Sequence, residues 1–267
     1  MMNFLELSQI QDETEQVQKT YEIFHEDLRL NRSKAARVEF LTTVRYIERY
    51  LKPGDRILDI GAGAGEYSIH FSRQGYEVSA IELAVRNIRD FRNKITPDDN
   101  IELIQGNALD LSRYDNHSFD IVLLLGPLYH LHNRLDRLHA IAEAKRVCKQ
   151  DGTIFFAFIT NDMVFLTEFS YDNQYFTCGD FDPKTFKLND FPFVFHTVDA
   201  CRSLLWDADI HIEHEIASDG ASELLEEKIN NMDDRNYEQY LRYHYYICEK
   251  PEFLGMSNHL LFVGKPN

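Results

Sequence analysis

Long apolar runs are missing from this chain of 267 residues. A helix that crosses a membrane takes about 20 consecutive apolar residues, whereas the longest run here, Ile121 to Leu125, is strand-sized. No membrane association is expected. Met1 to Gln11 has neither the basic start nor the apolar stretch of a secretory leader, so a cytoplasmic location is expected. Cysteine is scarce: Cys148, Cys178, Cys201 and Cys248 are irregularly spaced and form no C-x-x-C pair. That spacing offers neither a zinc site nor a redox dithiol and reads as reduced, mostly structural thiols. Positive charge is also in deficit, with 28 Lys and Arg against 44 Asp and Glu and a net charge of −16. Such a chain repels a phosphate backbone, so nucleic acid is not the expected partner and an uncharged, cationic or small substrate is favoured. There is no internal repeat, low-complexity tract or Gly/Ser linker. The length suits one large α/β domain, or a core with a smaller cap.

The elements alternate. Asp12 to Arg32 is polar and helical in pattern, and Ser33 is placed to cap the next helix. In that helix Phe40, Val44, Ile47 and Leu51 recur at helical spacing, so it should pack on a sheet; Pro53-Gly54 ends it. Strands are expected at Arg56 to Ile60, Glu77 to Glu82, Ile101 to Gln105, Phe119 to Leu125 and Gly152 to Phe158. The helices between them run to Arg73, from Ala84 to Lys94, and through a segment carrying Leu131, Leu135, Leu138 and Ala142 on one side. This alternation gives a parallel, doubly wound sheet. Asn161 to Phe195 is aromatic and acidic without clear period, and reads as an insertion over the carboxyl edge. A helix near Val198 to Ala208, a strand near Ile210 to Ala217, a helical stretch from Ser222 to Tyr246 and a strand from His259 to Val263 complete the chain. The last two strands are expected to pair antiparallel at a sheet edge.

Leu58-Asp59-Ile60-Gly61-Ala62-Gly63-Ala64-Gly65 ends the first strand. Its glycines permit a tight turn and close approach of a ligand to bare backbone at a helix N-terminus. The dinucleotide fingerprint G-x-G-x-x-G competes for this stretch, but Glu66 stands where its third glycine belongs. Glu82 ends the second strand, where a carboxylate can accept from both hydroxyls of a ribose. Gln105 to Asp110 follows the third strand, with Asn107 as its amide. Leu124 to Leu131, containing Gly126-Pro127-Leu128-Tyr129-His130, follows the fourth. His130 and His132 lack an evident partner, so no metal is expected.

The turn with Asp59 resembles motif I of class I S-adenosylmethionine (SAM)-dependent methyltransferases. The resemblance covers roughly Pro53 to Phe158, and the Gly-Pro-Leu-Tyr-His stretch is similar to one in bacterial small-molecule enzymes of that family. It implies a Rossmann-like, seven-stranded mixed sheet with an N-terminal helical cover (1–52), a SAM-binding core (53–160), a lid insertion (161–196) and a completing segment (197–267) with a helical insertion at 221–250. Asp59, Gly61, Ala62, Gly63 and Gly65 would approach the methionine part and ribose. Glu82 and Leu83 would meet the ribose, Asn107, Ala108 and Leu109 the adenine, and Leu125 and Gly126 the methyl-donor region. Exocyclic-nitrogen base methyltransferases carry an acid or amide before Pro-Pro and an aromatic; Gly126 replaces that group, which argues against a nucleobase acceptor.

In the cover, Arg29 and Arg37 are candidates to meet the SAM carboxylate, and Tyr21 is a candidate lid aromatic. Tyr129 is expected to shape the acceptor pocket and His130, at an ordinary pKa of ~6.5, to act as general base. Phe165, Phe169, Tyr171, Tyr175 and Phe176 are candidate pocket rings. The expected function is methyl transfer from SAM to a small-molecule acceptor by a monomer or homodimer. An NAD-dependent oxidoreductase and a non-catalytic SAM-binding module remain as alternatives.

Overall fold

The computed structural model describes residues 4–10 and 12–267, with Phe4 and Leu5 described in backbone course only. Met1 to Asn3 and Gln11, part of the segment read above for a leader, lie outside the described residues.

Four helices open the chain: α1 (Phe4–Leu7), α2 (Glu13–Ile23), α3 (Glu26–Arg29) and α4 (Arg37–Ile47). Asp12 caps α2 by accepting from the Glu15 amide at 2.8 Å, and the Ser33 hydroxyl accepts from the Ala36 amide in the turn that enters α4. Then follow β1 (Arg56–Ile60), α5 (Glu66–Arg73), β2 (Glu77–Glu82), α6 (Val85–Arg92), β3 (Ile101–Gln105), β4 (Phe119–Leu124), α7 (Arg134–Val147) and β5 (Cys148–Thr160). The remainder is α8 (Asn161–Tyr171), β6 (Phe195–His196), α9 (Val198–Asp207), β7 (Ile210–Ala217), α10 (Glu226–Asn230), α11 (Asp234–Ile247), α12 (Pro251–Leu254) and β8 (His259–Pro266).

The sheet runs β3-β2-β1-β4-β5-β8-β7, with the two-residue β6 pairing β5 as an eighth strand. All pairs are parallel except β8, which runs antiparallel between β5 and β7. β1 pairs β2 on one side and β4 on the other, so the strand order reverses there. The crevice beyond the carboxyl ends of these strands is where doubly wound sheets bind ligands. One core layer joins α4 (Phe40, Val44, Ile47) to the sheet through Ile57, Ile121 and Phe155. The other joins α7 and α9 to it through Leu58, Val122 and Phe156.

Three expectations need correction. The face of α7 is not the one expected: Leu131 precedes the helix, Asn133 caps it, and Leu135 is 71% exposed. Ala140, Ile141, Ala144 and Val147 face the core instead, and the two alanines let the helix lie close to the sheet. The aromatic insertion also begins with a helix, α8, which burial on more than one side hides. Asn161, Met163, Phe165 and Thr167 are all inside, a two-residue spacing that masks the helical period. Further along, the long stretch from Ser222 is broken into α10 and α11.

Candidate functional site

The carboxyl ends of β1, β2, β3 and β4 bring four separate sequence elements to one cleft. At the β1 end, Gly61 and Ala62 both donate their amides to the Ile81 carbonyl, which folds the loop back over β2. Gly61 has φ +73, and a Cβ there would lie 2.7 Å from the Pro127 ring. Gly65, at φ +85, packs its bare Cα against Phe91, where a Cβ would approach to 2.3 Å. Asp59 is buried behind the loop and accepts from the Ser68 hydroxyl at 2.7 Å; burial pushes its carboxyl up to about 6.

Glu82 links the strand ends. One carboxylate oxygen accepts from the Gly63 amide at 2.8 Å and the other from the Ala84 amide at 2.7 Å. Burial raises its pKa to about 7 despite those bonds. Asn107 accepts from the Leu109 amide at 3.0 Å, which fixes the turn after β3 and orients the amide. Gly126 opposes Gly61, and a Cβ on Gly126 would sit 3.3 Å from the Gly61 carbonyl.

Three adjoining hollows surround this turn. The first, about 90 Å³, is lined by Gly61, Glu82, Leu83, Asn107, Ala108 and Leu109, with Gly126 and His130 across from them and Glu13, Thr14 and Val17 of α2 above. A second, about 40 Å³, lies between Asp59, Gly61, Ala62, Gly63, Leu125 and Gly126 and the cover residues Glu26 and Arg29. The third is a chamber of about 670 Å³ that reaches from Tyr21, Glu26, Arg29 and Tyr129 to α8 and the segment after β7. Tyr21 lines all three.

The cover residues are tied down. The Tyr21 hydroxyl lies 2.8 Å from His130 Nε2. Burial lifts the Tyr21 phenol well above its usual range and drops His130 to about 3, with His132 lowering it further. Its pKa thus lies well below the ordinary ~6.5 expected from the sequence, with Nε2 engaged by Tyr21. Arg29 donates to Glu26 at 2.9 Å and to Glu39 at 2.6 Å at the edge of the chamber. Arg37 is not brought to the site: it is exposed, bonded to Asn31 and placed over the Phe40 ring. Of the five insertion rings, Tyr175 alone lines the chamber. Phe165 sits against Tyr175, Phe176 and Phe181, and Phe169, Tyr171 and Phe176 are largely exposed.

The cluster beside Arg29 has no signature in the sequence. Glu39 on α4, Asp219 after β7 and His259 at the start of β8 meet with donor atoms within 4.8 Å of one another, the one such grouping among the described residues. His259 Nδ1 lies 2.8 Å from Asp219 and 3.5 Å from Glu39. Burial alone would lower its pKa, but Glu39 and the Asp219 bond lift it to about 9. The proton on His259, together with Arg29 on Glu39, compensates these carboxylates without an ion. The three residues lie far apart in sequence and meet only because β7 and β8 pair antiparallel beside α4.

A nucleoside linked to an amino acid fits this donor set. Glu82 offers a buried carboxylate to hydroxyls, Asn107 an amide to a base edge, and Gly61, Gly106 and Gly126 leave backbone bare at the strand ends. Residues 58–156 match a family described as "Methyltransferase domain". Over 91 residues the chain is 33% identical to a putative ribosomal RNA large subunit methyltransferase of Methanocaldococcus jannaschii, covering 32% of this chain and 24% of that protein. Over 108 residues it is 34% identical to 27-O-demethylrifamycin SV methyltransferase of Amycolatopsis mediterranei, covering 39% and 38%. The chain thus spans less than half the length of these curated relatives. Among solved structures, a Pyrococcus horikoshii protein superposes with a TM-score of 0.61 at 19% identity, over 93% of this chain and 99% of that one. A SAM-dependent methyltransferase of Methanosarcina mazei superposes at 0.54 and 20% identity, over 83% and 96%. Residues 58–156 thus match the methyltransferase-domain family, and the sheet that carries them has the Rossmann-like fold of these solved structures.

Proposed function

We propose that the chain transfers the methyl group of SAM to a small-molecule acceptor. The observation that carries this reading is the meeting, at Tyr21 and Tyr129, of the cleft around Glu82 with a chamber of about 670 Å³. That volume lies within the usual range for small-molecule pockets. When bound, SAM supplies a methyl carbon on a sulfonium sulfur, an activated electrophile that needs no proton to help its leaving group.

The chain's own residues then bind, orient and exclude water. Glu82 accepts from the ribose hydroxyls, Asn107 meets the adenine edge, and Arg29, next to Glu26, faces the amino-acid end. Tyr129 stands between donor and acceptor hollows and holds the nucleophile in line, the contribution that matters most for an activated donor. His130, too weakly basic to remove a proton at neutrality, positions Tyr21 and with it the cover. The hollow at Glu82 is narrow because Glu13, Thr14, Val17 and Tyr21 of α2 lie over it, and Glu26 and Arg29 of α3 cover the second.

Relatives named as ribosomal RNA methyltransferases raise RNA as a competing acceptor. The charge of −16 and the acidic chamber wall favour the small molecule. Incubating the full chain with SAM and a library of small acceptors, with total RNA as a separate arm, and measuring S-adenosylhomocysteine tests the assignment. Product with a small molecule and none with RNA is expected; turnover on RNA alone overturns it.

A further inference from the structure

The chamber's far end carries carboxylates that no described residue answers with an ion pair. Near the donor, the carboxylates of Glu26, Glu39 and Asp219 are compensated by Arg29 and His259. Beyond them Glu168 of α8, Asp180 and Glu223 line the same chamber, and none has an ion pair among the described residues. Glu223 accepts from the Tyr171 hydroxyl and the Asn258 amide, both neutral. Burial, and then Glu223 and Asp180, hold the Glu168 carboxyl above its usual range. Arg32, the remaining cation of the wall, faces Glu226 at 4.0 Å.

The other half of the wall is aromatic. Tyr129, Tyr175, Phe191, Phe193 and Phe195 line it, and Phe193 lies edge-on to Tyr129 at 5.9 Å. Tyr129 is 8% exposed and lines both this chamber and the donor hollow.

We propose that the chamber is built for an acceptor carrying a cationic amine, gripped by the aromatic rings and by the Glu168, Asp180 and Glu223 carboxylates, with its reacting end toward Tyr129. This rests on the methyltransferase reading above and names its substrate class. An ammonium relieves the repulsion among the three carboxylates and gains from the ring faces. An anionic acceptor meets the opposite field, and Arg29 and Arg32 are already committed to carboxylates. A metal ion is the poorer occupant, because Glu168, Asp180 and Glu223 do not bring their oxygens close enough to share one.

The test uses the full chain saturated with S-adenosylhomocysteine, whose binding is measured first. If that ligand does not bind, the methyltransferase reading fails; if it binds, the substrate class is tested by itself. Calorimetric titration with 2-phenylethylamine, 2-phenylethanol and phenylacetate compares a cation, a neutral molecule and an anion on one ring. The amine is expected to bind at least about 10-fold more tightly than the alcohol, with the acid weakest, and to weaken as salt is raised. The double variant Glu168→Gln with Asp180→Asn, at two exposed positions, should lose most of that preference while keeping its affinity for S-adenosylhomocysteine. Equal or tighter binding of the alcohol or acid, no binding of any of the three, or an unchanged preference in the double variant overturns the proposal.

Discussion

The Tyr21 hydroxyl and His130 Nε2 share a hydrogen bond of 2.8 Å, joining the helical cover to the turn after β4. His130 is buried, so removing the hydroxyl leaves its ring nitrogen without a partner, at a cost of about 1–3 kcal/mol. Tyr21→Phe is expected to speed amide hydrogen exchange over residues 13–23 and to lower the melting temperature by a few degrees. Unchanged exchange would mean that α2 is held by its other ties, such as Arg86 on the Glu22 carbonyl.

The low pKa of His130, about 3, bears on the reaction's pH dependence. A base must lose its proton to act, and this ring is already neutral throughout the range in which an ordinary histidine titrates. Wild type and His130→Gln are therefore expected to share one profile of turnover against pH, whatever their absolute rates. An inflection near pH ~6.5 that vanishes in the variant would restore the histidine as general base.

Glu82 carries the third expectation. Glu82→Ala should weaken SAM binding by about 1–3 kcal/mol, because two hydroxyl donors lose a charged acceptor. Burial raises its carboxyl to about 7, and hydroxyl donors favour the ionised form. Affinity should therefore fall as pH drops below 7, by up to about tenfold per unit. Glu82→Gln keeps the shape and should flatten this dependence. Titration calorimetry at several pH values reads both effects.

The strands were legible because β1, β2 and β4 are apolar runs bounded by turn residues, and the cleft was legible because its lining residues stand at their carboxyl ends. The chamber was not. Its wall comes from α3, α4, α8, the segment 175–195 and the β7–β8 junction, which share no spacing in sequence. Arg37 misled because an arginine on the cover has no signature that separates a face turned inward from one turned to water. His130 lines the cleft, but its partner Tyr21 lies 109 residues away, and burial, which sets its basicity, has no local signal.

Gly65→Ala should destabilise the fold by roughly 2–5 kcal/mol, combining left-handed strain of about 1–2 with overpacking against Phe91 of about 1–3. Gly54→Ala is the control: at φ +88 with nothing within 4 Å of a Cβ, it should show the strain alone. Urea unfolding of the two variants separates the terms.

His196 is buried with neither ring nitrogen hydrogen-bonded to a described residue, and burial lowers its pKa to about 4. The unfolded chain takes up a proton there below ~6.5 and the fold does not, so this histidine costs stability increasingly as pH falls from 6.5 toward 4. His196→Phe, which keeps the edge-on contact with Phe158, should stabilise the protein by about 1 kcal/mol at neutral pH and by more at pH ~5. A variant less stable than wild type at both values would show that the ring nitrogens find partners in solution.

Titration of the full chain with SAM, S-adenosylhomocysteine and NAD in a calorimeter tests the central claim, that the cleft around Glu82 is a methyl-donor site. Saturable one-to-one binding of SAM and S-adenosylhomocysteine, weakened in Glu82→Ala, with no heat from NAD, is the result this account predicts. Tight binding of NAD with none of SAM, or SAM binding indifferent to Glu82, would contradict it.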